Sequence, residues 1–164
     1  MKLPWNDGEP WHNVWIGMTA ENQKYADIRL PYLTQVNAVV RFVSAEPLLG
    51  SIDISQYASG IDWMIFGGES GGNARAMELG WSRSLRDQCI SHRIPFHFKQ
   101  WGNYVPLTQI GQIVRTPKNV TIISGEPTVR LSKKNAGGIV DGNEWKESPA
   151  PRAGSIPALS EKAA

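Results

Sequence analysis

Four short stretches carry apolar, β-branched and aromatic residues at the density of buried strands: residues 13–20, 38–45, 62–68 and 95–100. Between them the period changes. Over residues 21–35, Tyr25, Ile28, Tyr32 and Leu33 recur at helical spacing, and residues 81–92 repeat this with Leu85, Cys89 and Ile90. Ser82 or Gly80 is placed to cap the second helix. Residues 48–60 leave room only for a short helix around 54–58. Strand and helix in alternation imply parallel strands joined by right-handed crossovers.

The predicted fold class is therefore α/β: a parallel half-barrel of four β/α units, a partial TIM-type barrel, over residues 11–103. A complete eightfold barrel typically needs about 250 residues. An open four-stranded α/β sheet is the competing architecture. Residues 104–149 read differently, as a small β appendage packed on the barrel. Residues 120–123 and 128–131 have strand character, and Asp141-Gly142 between Ile139-Val140 and Trp145 is a hairpin signal. Residues 150–164, rich in Pro, Ala and Ser, read as a disordered tail.

Composition narrows the chemistry. A net charge of +2 with mixed signs along the chain gives no electrostatic footprint for nucleic acid. Trp5, Trp11 and Trp15 read as anchors of the amino-terminal end rather than as a base-stacking platform. Cys89 is the one cysteine, so no disulfide forms within the chain and no thiolate cluster can hold zinc or iron–sulfur. On its helical pattern it reads as inert packing. His12, His92 and His97 are too scattered for a metal site, and no apolar run is long enough for a membrane span. The start carries no signal-peptide pattern, and the expected location is the cytosol.

Period two sorts the strand residues into faces. Val14, Ile16, Met18, Val43, Ala45, Phe66, Phe96 and Phe98 make an apolar face suited to lie under helices. The other face runs through Gly17, Thr19 and Glu21; Phe42, Ser44 and Glu46; Ile65, Gly67 and Glu69; His97 and Lys99. It turns polar at the carboxyl end of every strand, where parallel α/β proteins bind ligands. Three carboxylates and a lysine there can act as acid, base or cation site, or Lys99 can simply neutralise Glu46 or Glu69. The run Gly67-Gly68-Glu69-Ser70-Gly71-Gly72 lacks the spacing of phosphate and dinucleotide loops. It reads better as a tight turn that aims Glu69 at the mouth.

Several of these segments resemble one family. They are Asn13-Val14-Trp15-Ile16-Gly17 with Glu21-Asn22-Gln23, and Arg41-Phe42-Val43-Ser44-Ala45-Glu46-Pro47-Leu48-Leu49-Gly50. Next come Asp62-Trp63 with Gly67-Gly68-Glu69-Ser70-Gly71, and Phe98-Lys99-Gln100-Trp101-Gly102. Lys133-Lys134-Asn135-Ala136-Gly137 and Val140-Asp141-Gly142 with Trp145 complete the ordered set. Together they resemble the carboxyl-terminal half of the phage three-cysteine-motif family, named for phage gene products thirty-seven and sixty-eight and similar to radical-SAM proteins.

The resemblance implies an amino-terminal half with three clustered cysteines holding a 4Fe–4S cluster, and Met1 falls shortly before a mid-barrel strand. It also implies that Glu21, Asn22, Glu46, Glu69, Ser70, Lys99, Gln100 and Trp101 contact S-adenosylmethionine or substrate at the barrel mouth. The chain alone is expected to bind neither cofactor and to be non-catalytic. It would act with a partner half, or by self-association, in the host cytosol. Open edges are expected at residues 13–20 and 95–100. The alternative is a phage interaction protein that inhibits host machinery, for example an anti-defence factor.

One cysteine cannot replace three thiolates, so the purified chain is expected to stay colourless and iron-free after anaerobic reconstitution. A brown protein with about four irons per chain would refute this.

Overall fold

The computed structural model describes residues 8–110 and 119–149. The tail expected at residues 150–164, and Trp5, lie outside the described residues. The chain opens with β1 (Ile16–Thr19), α1 (Gln23–Leu33), β2 (Arg41–Ala45), β3 (Trp63–Phe66), α2 (Leu79–His92) and β4 (Phe96–Phe98). All four strands are parallel and lie in the order β1-β2-β3-β4, with Gly17 beside Phe42, Ser44 beside Ile65 and Phe66 beside Phe98.

Each predicted strand segment contains its strand, and both predicted helices form. The number of β/α units is lower than expected. Among the described residues only the first and third crossovers carry an α-helix; β2 reaches β3 through a loop with one 3-10 turn at Ala58–Gly60. After β4 the chain passes straight into antiparallel structure. Leu48, Ile52, Ile54 and Tyr57 on the β2–β3 loop are buried in the place a second helix would fill.

Asn22 caps α1: its Oδ1 accepts the Tyr25 N–H at 3.3 Å, as an N-cap amide should. Ser82 and Gly80 do not cap α2, which starts from Glu78 without a side-chain cap; Ser82 donates back to the Leu79 carbonyl. The left-handed Arg93 (φ 57°) ends α2. Val43, Ala45, Met64, Phe66, Phe96 and Phe98 form one core with Ala26, Leu30 and Leu33 of α1 and Leu85 and Cys89 of α2. This is the apolar face that period two marked. Burial pushes the Cys89 thiol up to about 12, as fits an inert packing residue.

The appendage has a three-stranded antiparallel sheet of β5 (Tyr104–Pro106), β6 (Val120–Ile123) and β7 (Glu126–Arg130), with β7 central. β8 (Ile139–Val140) and β9 (Asn143–Glu144) form the expected hairpin, with Asp141 (φ 50°) and Gly142 (φ 82°) both left-handed at its turn. Val105, Ala136 and Val140 belong to the same core as the parallel sheet. Asp141 ties the hairpin to α2, accepting from Arg83, Arg86 and Gln109; the Arg83 guanidinium holds its carboxyl far below the usual range.

One expected open edge is closed. Residues beyond β9 run antiparallel along the outer side of β4, with Lys146 opposite His97. The Phe98 N–H donates to the Trp145 carbonyl at 2.9 Å and the Glu147 N–H to the Phe96 carbonyl at 3.0 Å. Glu147 Oε2 accepts the Phe96 N–H, its carbonyl accepts the Trp63 indole, and the Trp145 ring stacks on Phe96. Within the parallel sheet only β1 keeps an outer edge that no strand among the described residues pairs with.

Two glycines separate space from flexibility. A Cβ on Gly68 would stand 1.9 Å from the Trp101 carbonyl oxygen, whereas one on the exposed Gly80 of α2 meets nothing within 4 Å. Gly68→Ala should therefore destabilise the fold by about 1–3 kcal/mol or more, as overpacking does. Gly80→Ala should stabilise by up to about 1 kcal/mol. Urea melts of the two variants beside the parent check the signs.

Candidate ligand face at the carboxyl end of the parallel sheet

Residues after β1, β2, β3 and β4 gather at one end of the sheet, above the face that the helices leave uncovered. On that face Gly17 and Thr19 are exposed, and Phe42, Ser44, Ile65 and His97 are half-buried. The Phe42 ring lies over Gly17, where a Cβ would come within 2.3 Å of it. Trp63 meets Phe42 at 6.1 Å and Trp15 at 5.9 Å between ring centroids. The floor is aromatic and the rim is ionic.

Each rim carboxylate has its own cation. Glu46 directly follows β2, is joined to Pro47 by a cis peptide bond, and meets Lys99 Nζ at 3.4 Å across the ends of β2 and β4. Ser44 Oγ donates to the same carboxylate at the limit of hydrogen bonding, 3.5 Å. Lys99 is half exposed and Glu46 largely covered. Glu21 is paired with Arg29 of α1 at 3.1 Å, and Arg29 also donates to the carbonyl and hydroxyl of Thr19. Glu69 accepts a two-pronged pair of bonds from the Arg75 guanidinium and a third from the Arg75 N–H at 2.7 Å. These bonds hold its carboxyl at about 2, well below the ordinary 4.5.

Of the two carboxylates that Lys99 was placed to neutralise, it meets Glu46, and Glu69 is held by a separate Arg75 clamp. Gln100 Nε2 donates to Ser70 Oγ at 3.3 Å, so these two remain neighbours on the rim. Asn22 is spent on the α1 cap. Trp101 is a core residue: its ring is buried against Phe98 and its indole N–H donates to the Ile139 carbonyl at 2.8 Å. Among the described residues no group of three or more His, Cys, Asp or Glu could hold a metal ion.

The glycine run is a backbone contact and not an anion cradle. The Gly68 N–H donates to the Gln100 carbonyl, and the Gly71 N–H to Asn103 Oδ1. Arg130 of β7 reaches the Gly71 and Gly72 carbonyls, so a cation already sits on the loop's oxygens. Asn103, Arg75, Arg29 and Arg130 position the rim, yet none fell on the four strands whose period marked the mouth. The only signal of the three arginines in sequence was a charge opposite to the carboxylate or carbonyl oxygens they meet, and the neutral Asn103 carried none.

Residues 2–149 match a family model described as "Protein of unknown function (DUF5131)", and the chain belongs to that family. No curated protein and no solved structure matches it.

The Glu69–Arg75 clamp sets a pH dependence. A carboxyl depressed in the folded state adds stability that is present above its ordinary value of 4.5 and lost as pH falls towards about 2. Carbon-detected NMR titration should find the Glu69 carboxyl protonating near the lower value. In Arg75→Gln, which keeps the backbone N–H bond, it should rise part of the way towards the ordinary range, and the melting temperature should lose part of its fall between those pH values. A Glu69 that titrates ordinarily in the parent would mean the clamp is not formed.

Proposed function

We propose, from the resemblance of its ordered motifs to the phage three-cysteine-motif family, that the chain supplies the carboxyl-terminal strands of a larger radical-SAM-like barrel in a phage or prophage protein. It does no chemistry alone and works, in the host cytosol, with a half that brings the clustered thiolates. The observation that carries the reading is the consecutive order of four parallel strands with helices packed on one face only. Parallel sheets normally bury both faces, and an open doubly wound sheet reverses its strand order to do so. Curling into a barrel with further β/α units buries the second face without reversal.

The residues present do not fit the iron–sulfur cluster. The one thiol, Cys89, is buried beneath α2 on the side of the sheet away from the rim. No step through a cluster is assigned to this chain. Its own part is to bind and orient: Glu46 and Lys99 would meet S-adenosylmethionine or substrate, with Ser70 and Gln100 beside them. Glu69 and Glu21 are held by Arg75 and Arg29 and shape the rim. Asn22 and Trp101 support it from below.

A second reading is favoured by the covered outer edge of β4, where Lys146 lies opposite His97. That edge cannot take the strand that closes an eightfold ring. The barrel is then an open one, or the chain is a stand-alone module that binds and inhibits host machinery.

The test is co-expression with the amino-terminal half of a three-cysteine-motif family member. A brown one-to-one complex with about four irons per pair is expected, while the chain alone stays colourless. In that complex Glu46→Gln or Lys99→Met should weaken S-adenosylmethionine or substrate binding about tenfold or more, the scale of a lost charged hydrogen bond. Failure of the halves to associate would overturn the proposal.

A further inference from the structure

We draw no further inference here: the strongest candidate, the outer edge of β6 in the antiparallel appendage, where Val120 and Ile122 stand exposed on a strand without charge or proline, is paired with no strand among the described residues, and nothing in the structure shows what covers it.

Discussion

The carboxyl ends of β3 and β4 are locked by a contact that contains no side chains. Gly68 lies against the Trp101 carbonyl and Gly102 (φ 77°) against the Glu69 carbonyl, closer than any Cβ would allow. Gly68 and Asn103 close the contact with backbone bonds to Gln100 and Glu69. The surrounding structure depends on it. The turn at Gly102 drives Trp101 down into the core and points Asn103 at both the glycine loop and Leu131. Glu69 then leaves the sheet on a path that meets Arg75. The rim and the appendage are thus set by one backbone crossing.

Strand faces were legible because a period of two is local: Val43, Ala45, Phe96 and Phe98 announce their burial two residues at a time. The hairpin at Asp141-Gly142 was legible for the same reason, since both residues tolerate the left-handed region. The partners of the rim carboxylates were not. Phe66 is level with both Ala45 and Phe98, so Glu46 and Lys99 flank Gly67, whereas Glu69 stands two residues further on and is taken by Arg75 where the loop folds back on itself. Trp101 was expected at the rim from the resemblance alone, and the turn that follows it at Gly102 leaves its ring in the core. The segment over β4 was hidden too. Trp145–Glu147 pairs with residues almost fifty positions away, and nothing local marks it as edge cover.

Charge at the rim is arranged pair by pair. Glu21, Glu46 and Glu69 would repel one another if left alone, and each instead faces a separate cation. The three pairs differ in commitment. Glu69 accepts three bonds from one residue and Arg29 is shared among several oxygens, whereas Lys99 meets the two Glu46 oxygens only at the long distance of 3.4 Å. A ligand that offers its own charges would displace the weakest of these first, which is why the proposed binding role falls to Glu46 and Lys99.

The position of Cys89 gives the molecule a built-in clock. It is the single sulfhydryl in the chain, it faces the packed interior from α2, and its thiolate form is suppressed until water reaches it. A thiol reagent therefore reacts only during those intervals when α2 lifts from the strands beneath it. Because no second sulfhydryl competes, the labelling rate reports the free energy of that one opening directly, and how it changes when something covers the sheet's bare face.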